Sequence, residues 1–215
     1  MHIRVCIFDT EERTCLVREL RPEAQMPLIE HLRFSVESFC GRAGTDLCWT
    51  DCRALRALNG LARRWGIPLC VEGTFRRSVC GGMGALENLL GTVFEIGRDL
   101  EPQQREQLRE DAVASGLFYR TEPAFAGGLS VRITALRPQW SCKAGDMGVE
   151  VMAAQQLLMD AGCYYGALTG VCCRQTCRAI VRMQRIAGLP QTGRLAAGDW
   201  NALMQLTNVR RNATM

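Results

Sequence analysis

Cysteine is the residue type in this sequence with the greatest capacity for chemistry. The 215-residue chain contains 12 cysteines, and they lie closest together at Cys172, Cys173 and Cys177. Their spacing lacks the paired C-x-x-C pattern that predicts a zinc site, and only His2 and His31 could add imidazole ligands. We therefore expect most of these thiols to be buried and free, each acting as a small apolar side chain.

Composition places the chain among ordinary globular proteins. Hydrophobic residues make up 47% and charged residues 22% of the sequence, and the net charge is +4. This charge is too small to indicate a nucleic-acid partner, although it is compatible with anionic polymers. No apolar run reaches the length of a membrane span. The N-terminus lacks the pattern of a secretion signal, so we expect a reducing cytosol, with disulfides formed after export as the alternative.

A three-helix module is predicted for residues 146–207. Apolar residues recur at spacings of three and four over residues 151–161 and again over residues 179–187, which is typical of amphipathic helices. A third, shorter helix is predicted around residues 199–206, where Trp200 should be largely buried. Glycines between the stripes end the helices, and the polar tail at residues 208–215 is expected to fray.

The order of residues in this module resembles the peptidoglycan-binding domain family. The positions that carry the resemblance are Gly148, Val151, Gln155, Leu158, Gly162, Tyr164, Tyr165, Gly166, Gly170, Val171, Thr176, Ala179, Gln184, Gly188, Leu189, Gly193, Trp200 and Leu203. That family consists of three-helix units appended to bacterial and phage cell-wall enzymes. The sequence departs from its pattern at Cys172 and Cys173, where the family has Phe-Gly, and at Met183, where it has an aromatic residue.

The resemblance implies that the module binds peptidoglycan or its peptide stems. The candidate contact residues follow the first helix or begin the second, and they are Tyr164, Tyr165, Arg174, Gln175 and Thr176. The alternative for each is that its side chain only builds the helical bundle, as residues in helical stripes usually do.

An α+β domain is predicted for residues 1–136, joined to the module by a linker at residues 137–145. Helices are expected after Asp51, ending at Gly66, and from Pro102 to about Gly116. The predicted strands form a small mixed or antiparallel sheet and lie at residues 2–8, 14–18, 67–72, 92–96, 117–120 and 129–134.

A second set of motifs runs through residues 33–135. Its segments are Arg33 to Phe39, Trp65 to Leu69, Gly73 to Arg76, Val79 to Gly82, Leu86 to Glu95, and Gly128 to Arg132. In order and interval they resemble the zinc D-alanyl-D-alanine carboxypeptidase and L-alanyl-D-glutamate endopeptidase family. The resemblance implies a peptidase-like fold, and it implies that Arg76 matches the arginine that contacts the substrate carboxylate.

The zinc ligands of that family are replaced in this sequence. The family uses His, Asp and His, and the matching positions here are Asn88, Glu95 and Gly128. Only Glu95 keeps a strong donor, and one carboxylate cannot hold a catalytic zinc with its activated water. We therefore expect no catalytic residue, no metal and no cofactor.

Three functions remain open from the sequence. The leading hypothesis is a peptidoglycan-binding protein with a degenerate peptidase-like domain, cytoplasmic until lysis or non-classical export to the cell wall. The first alternative is an active zinc peptidase or phage-type endolysin with an atypical metal site, whose donors would be Cys80, Glu87, Glu95 and Glu122. The second is an intracellular interaction protein without wall binding. The oligomeric state is not predicted.

Overall fold

The computed structural model describes residues 2–41, 45–66, 68–77, 83–123 and 129–212. Its strands are β1 (Ile3–Asp9), β2 (Thr14–Leu20), β3 (Leu32–Arg33), β4 (Leu47–Asp51), β5 (Leu69–Gly73), β6 (Val93–Ile96), β7 (Arg120–Pro123) and β8 (Val131–Thr134). Its helices are α1 (Val36–Cys40), α2 (Cys52–Trp65), α3 (Met83–Leu89), α4 (Pro102–Ser115), α5 (Val149–Asp160), α6 (Arg174–Ile186) and α7 (Ala197–Asn212). The mixed helix and strand content of the fold is confirmed.

The chain divides into two compact units. The first contains Met1–Arg77 and Gly91–Arg137, and the second contains Ser78–Leu90 and Pro138–Met215. The sequence predicts one domain over residues 1–136, whereas α3 groups with the second unit. All eight strands belong to the first unit.

The first unit holds two sheets where the sequence predicts one. The predicted N-terminal hairpin is present, with Ile3 opposite Leu20 and Asp9 opposite Thr14. Strand β4 pairs in parallel with β1 on its other side, giving the order β2-β1-β4. Strand β4 was not predicted because it is short and runs directly into α2 without a turn residue.

The five-stranded sheet has the order β3-β5-β6-β8-β7. Strands β3 and β5 are parallel, and the other neighbours are antiparallel. The strand predicted at residues 117–120 is wrong in its bounds, because pairing with β8 begins only at Arg120, which lies opposite Thr134.

The two long helices of the first unit begin and end as the sequence predicts. The Asp51 carboxylate accepts a 2.9 Å hydrogen bond from the Arg53 backbone N–H at the start of α2, and Gly66 ends that helix in the left-handed conformation. Helix α4 starts with a capping box between Glu101 and Gln104. Side-chain acceptors of this kind satisfy backbone N–H groups that have no partner within a helix.

A cluster of five aromatic rings forms the centre of the first unit. The rings belong to Phe34, Phe39, Trp49, Phe75 and Phe94, and all five side chains are buried. The centroids of Trp49 and Phe75 lie 4.9 Å apart, and those of Phe39 and Phe75 lie 5.4 Å apart. Because Trp49 is on β4 and Phe94 is on β6, the cluster packs residues of both sheets into one core.

Gly91 is required where the chain passes against this core. Its φ is +68°, and a Cβ placed there would lie 1.9 Å from the Trp49 carbonyl oxygen. The Thr50 hydroxyl donates a 2.6 Å hydrogen bond to the Gly91 carbonyl. No side chain fits at this close approach of two backbone segments.

Replacing Gly91 with alanine should therefore cost more stability than replacing Gly66. Both have positive φ, but a Cβ at Gly66 meets nothing within 4 Å. We expect Gly66→Ala to lower the free energy of unfolding by roughly 1–2 kcal/mol and Gly91→Ala by a further ~1–3 kcal/mol. Urea unfolding measures both, and equal losses would contradict the close contact at Trp49.

In the second unit, α5 packs against both α6 and α7. Trp200 is fully buried, as predicted, and its ring centroid lies 5.5 Å from that of Trp140. Helix α7 continues to Asn212, so the prediction that the chain frays from residue 208 is wrong for residues 208–212. The reason is that the Thr207 hydroxyl and the Arg210 guanidinium donate to the carbonyls of Leu157 and Ala161 at the end of α5.

Truncating Trp200 tests this packing. We expect Trp200→Ala to cost about 3–5 kcal/mol through loss of buried contacts. Trp200→Phe should cost clearly less, because the indole Nε1 has no hydrogen-bond partner among the described residues and its loss leaves no acceptor unsatisfied. Thermal unfolding followed by circular dichroism compares the two, and a Trp200→Ala variant as stable as the parent would be inconsistent with this core.

Candidate functional site

Helix α6 has one buried face and one exposed face. Its buried residues are Thr176, Ala179, Ile180, Met183 and Gln184. These positions recur at intervals of three and four, so the opposite face of the helix points to solvent. That exposed face carries Gln175, Arg178, Arg182 and Arg185.

An open groove of about 420 Å³ lies along the exposed face of α6, lined by Gln175, Arg178, Val181, Arg182 and Arg185. Together with the ring of Tyr165, we call these residues the α6 surface.

The ring of Tyr165 lies at this groove. Its side chain is 74% exposed, and the Arg182 guanidinium carbon lies 6.0 Å from the ring centroid. The Tyr165 hydroxyl donates a 2.7 Å hydrogen bond to the Gly162 carbonyl, which fixes the ring at the end of α5. An aromatic face and a guanidinium are thus presented side by side.

The α6 surface carries positive charge that its own segment does not neutralise. No acidic residue occurs between Asp160 and Asp199. Among the residues that the structure describes, no ion pair involves Arg178, Arg182 or Arg185. Guanidinium groups with free donors bind carboxylates and phosphates, often through two hydrogen bonds.

Two of the predicted contact residues build the module instead of lining its surface. Tyr164 is 1% exposed and donates a 2.7 Å hydrogen bond to the Ala167 carbonyl, and burial raises the pKa of its hydroxyl. Thr176 is fully buried, and its hydroxyl accepts from the Gln155 amide at 3.0 Å. Neither side chain is accessible to a polymer, so neither belongs to the candidate surface.

The other predicted contact residues are accessible. Tyr165 and Gln175 belong to the α6 surface, and Arg174 is exposed at the first position of the helix. In the first unit, Arg76 is also exposed, and its guanidinium donates a 2.7 Å hydrogen bond to the Phe75 carbonyl.

Glu95, the one strong donor at the expected zinc positions, lies among polar and basic partners. The Ser130 hydroxyl donates to Glu95 Oε2 at 3.3 Å, and an Arg132 guanidinium nitrogen lies 3.9 Å from Glu95 Oε1. Arg132 on β8 is opposite both Glu95 on β6 and Glu122 on β7. A cation therefore separates two of the carboxylates considered as replacement ligands, which disfavours a metal ion between them.

The remaining ligand positions lie on α3 or outside the described residues. Asn88 and Glu87 lie on α3, which belongs to the second unit, and Gly128 and Cys80 lie outside the described residues. Within the described part of the chain, no group of three or more His, Cys, Asp or Glu side chains is placed to hold a metal ion.

Comparison with known proteins bears on the second unit alone. Residues 147–203 match the family model described as a putative peptidoglycan binding domain. This agrees with the resemblance read from the sequence and covers α5, α6 and the start of α7. No curated protein and no solved structure matches the chain, so the peptidase-like interpretation of the first unit has no support from relatives.

Sequence reasoning missed the arginines of the α6 surface. Arg178, Arg182 and Arg185 recur at intervals of four and three, which places them on one helical face. The run without acidic residues between Asp160 and Asp199 was the signal that could have revealed these arginines.

Among the described residues, every helix is too short or too polar to span a membrane.

Proposed function

We propose that the second unit binds peptidoglycan through the α6 surface, with arginine side chains contacting carboxylates of the peptide stems. The observation that carries this proposal is the basic groove beside Tyr165, located within the segment that matches the peptidoglycan-binding family. Peptidoglycan stems present carboxylates at regular intervals, and the arginines of α6 recur along the helix axis.

The chemistry of the surface fits a ligand with sugar and acidic peptide parts. Arg178, Arg182 and Arg185 offer planar forks of N–H donors that match a carboxylate. The exposed ring of Tyr165 supplies an apolar face for C–H groups, while its hydroxyl is already committed to Gly162. Gln175 adds an amide that can both donate and accept.

For residues 33–135 we propose a peptidase-like fold without zinc chemistry. The support is the replacement of His by Asn88 and Gly128 at the matching motif positions and the pairing of Glu95 with Ser130 and Arg132. A metal-bound hydroxide needs three protein donors and an open fourth position.

Removing two charges from the α6 surface should weaken wall binding. In a pulldown of the full chain on purified sacculi, we expect Arg178→Ala with Arg182→Ala to reduce affinity by about tenfold, since each exposed ion pair contributes up to about 1 kcal/mol. Binding should also weaken as salt is raised, because these charges are exposed. Tyr165→Ala should reduce binding, and Tyr165→Phe should retain most of it.

The matched control removes two exposed arginines of the first unit, Arg18→Ala with Arg64→Ala, and so changes the net charge equally. Wild-type affinity in the α6 variant, or an equal loss in the control, would show that the surface is wrongly placed. A parent protein that does not bind sacculi would contradict wall binding itself and favour an intracellular interaction protein.

The absence of zinc chemistry is tested by metal analysis and by peptide release from sacculi. We expect the purified protein to hold no stoichiometric zinc and to release no peptides. A zinc-to-protein ratio near one in the parent, or chelator-sensitive release, would establish the peptidase alternative.

A further inference from the structure

Two thiols of the second unit lie close enough to react with each other. Cys172 Sγ and Cys177 Sγ are 3.8 Å apart, and an S–S bond is about 2.0 Å long. Cys172 is buried and Cys177 is half-buried. No cysteine among the described residues is in a disulfide, so the pair is present as a dithiol.

The backbone holds both residues in place. The Cys172 N–H donates to the Asp146 carbonyl at 2.8 Å, and the Cys172 carbonyl accepts from the Gly145 N–H at 3.0 Å. Cys177 lies in the first turn of α6, where its N–H donates to the Cys173 carbonyl at 3.0 Å. Because both backbones are fixed, side-chain rotation has to supply most of the approach that bond formation needs.

We propose that Cys172 and Cys177 are a redox-active pair that closes to a reversible disulfide by exchange with a small-molecule disulfide. The Cys177 thiolate attacks one sulfur of the small disulfide, forming a mixed disulfide and releasing one small thiolate. The Cys172 thiolate then attacks Cys177 Sγ and releases the second. The two protons of the pair end on the two small thiols, and two electrons pass to the small disulfide.

Within the pair, Cys177 reacts before Cys172 because it is the more accessible of the two thiols. Its burial, with the neighbouring Cys172, raises the pKa of the Cys177 thiol to about 11. Below that pKa the thiolate fraction rises about tenfold per pH unit, so closure should be faster at pH 8 than at pH 7.

The exposed Cys173 thiol has a pKa below its usual range because the Thr176 backbone N–H stabilises its thiolate. The small-molecule disulfide should therefore modify Cys173 before it reacts with Cys177, and this modification leaves the Cys172 and Cys177 thiols unchanged.

Closure would join two parts of the module that already meet. The chain just before Cys172 supplies the Val171 carbonyl to the buried Gln155 amide at 3.0 Å, and Cys177 is one residue before Arg178 of the α6 surface. The disulfide would thus fix the end of the α5–α6 connection to the first turn of α6. The approach of the two sulfur atoms is independent of what the module binds.

Trypsin separates the two cysteines and makes the test direct. Cleavage after Arg174 and Arg178 places Cys177 in the peptide of residues 175–178, and Cys172 in the preceding peptide. The full-length protein is incubated with oxidised glutathione at pH 7 and 8, its free thiols are blocked with N-ethylmaleimide, and it is digested without reductant. We expect a cross-linked pair of these peptides that reductant removes, formed about tenfold faster at pH 8.

Matched variants assign the bond. Cys173→Ser should retain the cross-link, and Cys177→Ser and Cys172→Ala should abolish it, with circular dichroism confirming that each variant is folded. Cys142→Ser is included because the Cys142 thiol also contacts Cys172, and this variant should retain the cross-link. A stable glutathione adduct on Cys177, or a cross-link that needs Cys142 or Cys173, would overturn the proposal.

Discussion

The buried side-chain amide of Gln155 is the interaction on which the second unit depends. Its oxygen accepts from the Thr169 and Gly170 N–H groups at 2.9 and 3.0 Å, and its nitrogen donates to the Val171 carbonyl and the Thr176 hydroxyl, each at 3.0 Å. One side chain of α5 thereby supplies hydrogen-bond partners to backbone groups of the α5–α6 connection and to the Thr176 hydroxyl in the first turn of α6. Buried polar groups of this kind cost roughly 1–3 kcal/mol each when left unpaired.

A second buried glutamine makes equivalent hydrogen bonds between α6 and the connection to α7. The Gln184 amide donates to the Thr192 hydroxyl and the Arg194 carbonyl and accepts from the Gly193 N–H. Gln155 and Gln184 thus each bind a Thr-Gly turn in the connection that follows their helix. Because both ends of α6 are held in this way, the backbone positions from which its exposed arginines project are fixed.

The sequence predicted the features that follow from local patterning. The stripes of α5 and α6, the capped ends of α2 and α4, and the burial of Trp200 all depend on residues close together in the chain. Strand β4 and the second sheet were missed because they depend on pairing between distant segments, which periodicity does not encode. The exclusion of Tyr164 and Thr176 from the surface needed the structure, since neighbouring residues of one turn can face inward or outward.

The candidate surface follows from the sequence less completely than the fold does. The resemblance indicates Tyr165 and Gln175 as contact residues, but Arg178, Arg182 and Arg185 lie outside the positions that carry it. In the first unit, the resemblance identified Glu95, and the structure shows the partners that compete with a metal for its carboxylate, namely Ser130 and Arg132. Such cross-strand partners come from sheet register, which the sequence alone did not establish.

The most direct test of the central claim is an NMR titration of the isotope-labelled full chain with soluble peptidoglycan fragments that carry peptide stems. The account predicts that signals of the Arg178, Arg182 and Arg185 side chains and of Tyr165 shift together and saturate, while those of the first unit remain unchanged. Shifts that cluster elsewhere, or fragments without stem peptides that bind equally well, would contradict recognition of stem carboxylates by the α6 surface.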